Sequence, residues 1–497
     1  MVKRSSGELL FSIAVDRSLD KSITTQVYHA IRQLIAASHL PAGKRLPSSR
    51  TLARELGISR TTAMTVFERL TSEGLIVSRT GSGSYVSELA ETRKPEQALV
   101  VHSPGPVSAK LADIIADASP RFFQRLSHPH HIRAFVTGLP DYAAFPMAVW
   151  ARLTAKHWRE PREEVMGYSD ANGHPRLRLA IAEHLRANRG LSCDVDQIFI
   201  VNGAQQAFDL IGRVLLNPGD HVWFENPGAI GARNSLVACG ASIVPVPVDQ
   251  EGLSVEAGLT LAPDFRLAFV TPSHQHPTGA EMSLARRAQL LAAANQNNAW
   301  IIEDDYDGEF RYDGRPLPTL KSGDTGERVI YVGTFSKTMF PALRLGFYIV
   351  PKPLVPIFQR ICGAFLQGVP SSIQAVLAAF IDEGHFATHL RRMREIYAAR
   401  HAVFHEAAEG YLGGLLHTNR SVAGFHAVGR FAAPFMNDET VAADADAAGL
   451  QVSPISRFCL DQAQIHRGLV LGVSAIDERT IRKGVETLAG VLAKQRP

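Results

Sequence analysis

Apolar positions follow two rhythms along this chain, and the change between them divides it. From Ile23 they recur as Val27, Ile31, Leu34 and Ile35, the spacing of one amphipathic helix face. PAGKRLPSSR follows, a loop by its two prolines and glycine. SSRTLARELGISRTTAMTVFERLTSEGL then predicts two short helices joined by a tight turn. Leu52, Ala53 and Leu56 would face inward on the first, Gly57 would take the left-handed position that ends it, and Ser59 would cap the second. Ala63, Phe67 and Leu70 would bury the second against the first. Leu75–Arg79 and Ser84–Val86, on either side of a TGSGS turn, predict a β-ribbon. Helix, helix-turn-helix and ribbon together make an N-terminal winged helix over residues 20–87.

Residues 88–131 change character, with prolines and polar residues that mark a connector and one short helix around Ala109–Ala118. His128, His130 and His131 cluster there, but no cysteine or acid lies at ligand spacing, so a solvated loop is expected rather than a metal site. From Ile132 the second rhythm begins. Short apolar runs at Ile198–Val201, Val222–Phe224, Ile243–Val248, Leu267–Val270, Trp300–Ile302, Val329–Val332 and Phe347–Val350 alternate with helical patterns. That alternation predicts an α/β domain over 132–497 around a mainly parallel sheet, with ligands at the carboxyl ends of its strands.

Composition changes this picture only when it is divided. The 497 residues are 45% hydrophobic and 20% charged, which excludes disorder for most of the chain. The net charge is +4, yet residues 1–90 hold 12 Lys+Arg against 7 Asp+Glu, so the remainder is close to neutral. A basic first fifth suits a polyanion. A helix-turn-helix lays the start of its second helix in the DNA major groove, here Ser59-Arg60-Thr61-Thr62. Arg60 and the two hydroxyls would reach base edges or phosphates, and Arg50, with Lys44 and Arg45, would meet phosphate. The four cysteines show no C-x-x-C spacing, so neither a disulfide scaffold nor a thiolate metal site is expected. MVKRSSGELLFSIAVD is broken too soon by Asp16 for a signal peptide, and no run of about 18 apolar residues spans a membrane. A cytoplasmic protein is expected.

The candidate chemistry lies just past the strands of the larger part. After Val201 comes NGAQQAF, where Gly203 turns into a helix whose first amides, Ala204 and Gln205, suit a phosphate. After Val270 comes TPSHQHPTG. After Ile302 comes EDDYDGEFRY, and after Val332 comes GTFSKTMFPALRLGF. Lys337 in a desolvated pocket can form a Schiff base with an aldehyde, an acid opposite a pyridine nitrogen keeps it protonated, and a phenol can hydrogen-bond a ring oxygen. An Arg, a hydroxyl and helix amides can hold a phosphate. Pyridoxal phosphate has all of these parts.

The stretch from QVYHAIRQLI to the TGSGSYV wing resembles the GntR-family winged helix, which implies DNA contacts at Arg50, Arg60, Thr61, Thr62, Thr80 and Gly81. Residues 132 onward resemble class I aminotransferases of PLP fold type I, with a smaller C-terminal α+β domain from about 355. By that resemblance Lys337 is the Schiff-base lysine, Asp304 the pyridine-nitrogen partner and Tyr306 the phenol. Thr334, Arg344 and the Ala204/Gln205 turn form the phosphate cup. The fusion resembles the MocR/GabR subfamily of transcription regulators. It implies a head-to-tail homodimer reading direct repeats or a palindrome in double-stranded operator DNA, and a small-molecule effector: an amine or amino compound, or the vitamin itself.

Three positions depart from the aminotransferase pattern. His276 stands where N-P-T-G usually has Asn, leaving Gln275, His276 or Tyr306 to serve the ring oxygen. Ala229 in ENPGAIGAR replaces a stacking aromatic. Val470 replaces the arginine that forks onto the substrate α-carboxylate, unless Arg457 or Arg467 substitutes. Effector sensing is therefore expected ahead of efficient transamination, with an active aminotransferase carrying an autoregulatory DNA-binding arm as the alternative.

Overall fold

A computed structural model describes residues 13–79, 82–88, 132–161, 163, 166–312, 314, 318–418, 420, 423–460 and 467–495. The wing-tip positions Thr80 and Gly81, the helix expected around 109–118 and the three clustered histidines at 128, 130 and 131 lie outside these residues. The chain falls into two compact units, Met1–Val107 and Ser108–Pro497.

In the first unit, α1 (Ile23–Ala36), α2 (Ser49–Glu55) and α3 (Arg60–Ser72) precede the antiparallel ribbon β1 (Ile76–Arg79) and β2 (Gly83–Val86). Each helix starts on a serine whose hydroxyl accepts a first-turn amide: Ser22 from Thr25, Ser48 from Thr51 and Ser59 from Thr62. Gly57 holds φ +62°, which ends α2 as its sequence position implied. One detail differs from expectation. Val66, rather than Phe67, joins Ala63 and Leu70 in the fully buried row of α3, because positions 63, 66 and 70 share one helical stripe and 67 stands at its edge.

In the second unit, α4 (Met147–His157) and α5 (Pro175–Arg189) lead into the sheet. There follow β3 (Ile198–Val201), α6 (Ala204–Leu215), β4 (His221–Asn226), α7 (Ile230–Ala238), β5 (Ser242–Asp249), β6 (Gly252–Leu253), α8 (Val255–Leu261) and β7 (Leu267–Val270). Next come α9 (Leu284–Gln296), β8 (Trp300–Asp305), β9 (Val329–Thr334), the single turn α10 (Phe335–Thr338) and β10 (Gly346–Ile349). Among the described residues the sheet has eight strands in the order β3-β10-β9-β8-β7-β4-β5-β6. Strands β5, β4, β7, β8 and β9 run parallel, and β10 lies antiparallel between β9 and β3. The expected α/β class with a mainly parallel sheet is therefore what forms, and the ends of β3, β7, β8 and β9 share one edge.

Beyond β10, α11 (Val355–Phe365) and α12 (Ser371–Asp382) still pack against the large sheet and its helices. The long α13 (His385–Tyr411) then leads into a second, four-stranded antiparallel sheet. It is built from β11 (Leu416–Thr418), β12 (His426–Phe431), β13 (Ser453–Pro454) and β14 (Gly468–Gly472), with α14 (Asp438–Ala447) and α15 (Glu478–Ala493). Leu469 and Leu471 face the apolar layer under α13 and α15, so Val470 between them faces the opposite side. Among the described residues no helix is long and apolar enough to cross a membrane, and no group of three His, Cys, Asp or Glu could hold a metal.

Trp223 of β4 fixes one side of the large sheet. It stacks on Phe265 at 3.7 Å, donates Nε1–H to the Ala262 carbonyl at 2.9 Å and packs under Gly258, where an added Cβ would lie 2.9 Å from the indole. Trp223→Ala should cost about 3–5 kcal/mol, read as a lower denaturation midpoint of the second unit.

Candidate functional site

Strand alternation sorts the three acids at the end of β8. The sequence placed them past a strand ending at Ile302, but β8 runs on to Asp305. Two of the acids are tolerated in the strand because both find partners on one face. Glu303 accepts the backbone amides of Leu320 and Lys321 at 2.6 and 2.8 Å. Asp305 pairs with Arg189 at 2.6 Å and accepts the Tyr331 hydroxyl at 2.7 Å, with both ions of the pair buried. Asp304 points the other way, is 7% exposed, and its Oδ1 has no hydrogen-bond partner. Burial, reinforced by the charges of Asp305, Asp307 and Glu225, holds its carboxyl well above the usual range, against the pull of Lys337.

Lys337 sits on α10, directly after β9. Its Nζ donates to the Gly138 carbonyl at 2.6 Å, and burial lowers its pKa against the opposing charges of Asp307 and Asp304. Gly138 has φ +74°, and a Cβ there would stand 2.6 Å from Nζ, so only glycine lets the amine approach. The sequence reading passed over this residue.

The register of β9, β10 and β3 aligns Thr334 with Gly346 and Gly346 with Val201, which gathers the expected phosphate-binding residues. Thr334 caps α10, accepting the Ser336 amide at 3.2 Å. Gly203, φ +88°, opens α6 with no side-chain cap, so no N-cap side chain bonds the first-turn amides at Ala204 and Gln205. The Gln205 side chain turns aside to the Gly231 carbonyl and Ser235 hydroxyl. Arg344, in a left-handed conformation and exposed, donates to the Asn202 carbonyl at 2.9 Å, with its guanidinium over Gly203. Thr334, Arg344 and the first turn of α6 thus lie near one helix N-terminus, with a cation beside Gly203.

Around Tyr306 the structure adds groups that the sequence reading missed. The hydroxyl lies 3.1 Å from His274 Nδ1, which donates to Asp307 at 2.9 Å, and the His–Asp pair is buried. Asp307 raises the His274 pKa against the opposing effect of burial. His276, reached through a cis bond to Pro277, packs edge-on against Tyr306, His426 and Phe458. Burial first, then the Lys337 and His274 charges, hold it neutral, with a pKa lowered to about 3. Gln275 does not face this space. Its amide donates to Glu225, the Pro227 carbonyl and the His276 carbonyl, and its oxygen accepts from Thr278, which leaves Tyr306 and His276 for a ring oxygen. The H-x-H and D-Y-D spacings were the available signals for the His274–Asp307 pair.

The three departures also have places. Ala229 caps α7. Val470 is fully buried with Ile230, Ile455, Phe458 and Cys459. Arg457 is tied to Glu439 at 2.6–3.0 Å and Arg467 to Asp438 at 3.3 Å, so each is held by an acid in this structure.

In the first unit, Arg60 and Thr61 are exposed at the start of α3 and Arg50 is exposed in α2. Thr62 is partly buried, its hydroxyl 2.8 Å from that of Ser59. Arg45 lies along the ribbon, its guanidinium beside Gly83.

Comparison with known proteins follows the same division. The model for bacterial regulatory proteins of the gntR family matches residues 23–86, and that for aminotransferase class I and II matches residues 137–485. The probable rhizopine catabolism regulatory protein MocR of Rhizobium meliloti is 41% identical over 96% of this chain and 95% of its own. The pyridoxine biosynthesis transcriptional regulator PdxR of Corynebacterium glutamicum is 31% identical over 95% and 96%. An archaeal alanine:glyoxylate aminotransferase structure superposes with a TM-score of 0.69 at 26% identity, covering 78% of this chain and 96% of that one.

A pH dependence follows from the buried imidazoles. His401 donates Nε2–H to the Gly424 carbonyl at 3.1 Å, and burial lowers its pKa to about 3. Its unfolded form takes a proton near 6.5, so the stability of the second unit should fall as pH drops below that value. His401→Gln keeps a donor and removes the titration. Urea denaturation between about pH 7 and pH 5 should show a decline shallower by up to roughly 1.4 kcal/mol per pH unit.

Proposed function

This chain belongs to the MocR-like transcription regulators, which join a GntR-type helix-turn-helix unit to an aminotransferase class I and II unit, and on that premise we propose that the second unit binds pyridoxal phosphate and senses a small amine or amino compound, or the vitamin itself. The observation that carries the proposal is the orphaned Asp304 Oδ1, a buried acceptor with nothing to accept from. A protonated pyridine nitrogen supplies the missing donor and charge. Lys337 would hold the aldehyde as a Schiff base. Arg344, Thr334 and the Ala204 and Gln205 amides would hold the phosphate, and Tyr306 and His276 the ring oxygen. When bound, the group supplies an aldehyde that captures amines and a ring that draws electrons.

The chain's own groups would govern that capture. A Lys337 amine with lowered pKa is closer to its nucleophilic, neutral form. Tyr306, backed by His274 and Asp307, is placed to donate a hydrogen bond rather than ionise, because burial and Asp307 raise its pKa. Occupancy of the site would then shift the placement of the DNA-reading units, a coupling between two distinct sites. Exposed Tyr168 and Phe365, on segments joined by the Ser169–Val369 hydrogen bond, favour burial against a second copy and support a head-to-tail homodimer.

An active aminotransferase with an autoregulatory DNA-binding arm is the second reading, favoured by the presence of Lys337, Asp304, Tyr306 and Arg344 together. Turnover of an amino donor with a 2-oxo acid above about 1 per second would select it.

Wild-type protein titrated with pyridoxal phosphate should develop a visible absorbance band that Lys337→Ala lacks, with unchanged circular dichroism. Asp304→Asn should weaken cofactor affinity roughly tenfold to a hundredfold, the worth of a charge-assisted hydrogen bond. On operator DNA, log affinity should fall linearly with log salt, and Arg60→Ala should weaken binding by about 1–3 kcal/mol while relaxing discrimination at one base position. A gel shift that ignores salt would refute the DNA-binding role of α3.

A further inference from the structure

The face that the smaller sheet turns toward the Lys337 site is apolar. Along β12 and β14 alternate residues point that way: His426 and Val428 on one strand, Val470 on the other, paired directly with Val428. Val470 is fully buried against Ile230 of α7 and Phe458, and Phe458 packs on His276, whose pKa the Lys337 charge helps to lower. His426 donates to the Pro277 carbonyl at 3.0 Å and is held neutral by burial and by His274. The wall therefore consists of hydrocarbon and uncharged imidazole.

The described cations nearby are committed or remote. Arg457 and Arg467 are bound to Glu439 and Asp438, and Arg233 of α7 is itself partnered. Arg430 follows Val428 at the outer end of β12, exposed to solvent. His274 is matched by Asp307. A carboxylate on the amine-bearing carbon would lose its water against Val470, Ile230 and Phe458 without gaining a partner.

We propose that the ligand admitted beside Lys337 is a primary amine with no carboxylate on its amine-bearing carbon, its body lying against Val428, Val470, Ile230 and Phe458. This rests on the proposed cofactor and sensing role of the site, and it narrows the ligand to a chemical class.

Matched pairs that differ only by that carboxylate test it on the full chain loaded with pyridoxal phosphate: isoamylamine with leucine, tyramine with tyrosine, and ethanolamine with serine. Calorimetric affinity and the shift of the visible band are read together. At least one amine should bind at least tenfold more tightly than its amino acid, with no pair reversed. An amino acid binding as tightly as its amine overturns the inference. So does silence of all three amines in protein that carries the band. If no band forms with pyridoxal phosphate, the cofactor reading fails and takes this inference with it, an outcome distinct from the other two.

Discussion

The buried pair of Arg189 with Asp305 is the constraint on which the site depends. Three consecutive acids at the end of a central strand would repel one another and lose their hydration, a combination that ordinarily ends a strand. Here Arg189 reaches from α5 to neutralise one of them, while also bonding the Gly308 carbonyl and the Ser273 hydroxyl. Backbone amides satisfy Glu303 from the same side of the sheet. Strand geometry then leaves Asp304 alone on the opposite face, where its Oδ1 is a buried acceptor without a partner and no ion pair among the described residues holds it as Arg189 holds Asp305. Arg189 thus positions a group it does not touch. It fixes the strand to its last residue, and that fixes where Asp304 stands relative to Lys337 at the end of the neighbouring β9.

Backbone proximity completes the arrangement. Gly138 admits the Lys337 amine, and Gly203 and Gly346 bring the opening turn of α6 against β10. Gly424 presses on the His274–Asp307 pair so closely that a Cβ would lie 2.1 Å from the imidazole. Its carbonyl accepts from both Tyr312 and His401. With the His426–Pro277 contact, this connects β12 of the smaller sheet to the loop that faces Tyr306. Any change at Tyr306 therefore meets the smaller sheet through hydrogen bonds and packed backbone, without slack between them.

Most of the architecture was legible because it rests on local rules. The capping Ser59, a left-handed Gly57 and the alternation of short apolar runs with helical patterns each carry their own signal, and the strands expected from that alternation among the described residues formed where it lay. Lys337, Asp304, Tyr306 and Arg344 were singled out through the resemblance and through their place at or just past strand ends, although Asp304 proves to lie within β8. The remainder depends on long-range partners that leave no local trace. The end of β8 could not be read without Arg189, more than a hundred residues earlier. The commitment of Gln275 to its own loop could not be read without the buried Glu225. Val470 was legible as a departure, but its meaning required the neighbours that α7 and Phe458 supply.

On the proposed function, the two units would meet anions by different physical means. Arg50 and Arg60 stand in solvent on short helices, where a phosphate finds charge that salt can screen and counterions can replace. In the second unit the cup joins helix amides to Arg344, whose guanidinium is held over Gly203 by the Asn202 carbonyl, and the charges beyond it are buried and paired. Directional hydrogen bonds from fixed backbone resist screening more than exposed side-chain charges do. Rising ionic strength should therefore separate the two functions, releasing DNA while a phosphorylated ligand stays in place. On that reading a ligand can stay in place while DNA is released, and a regulatory setting would rest with the ligand rather than with the DNA.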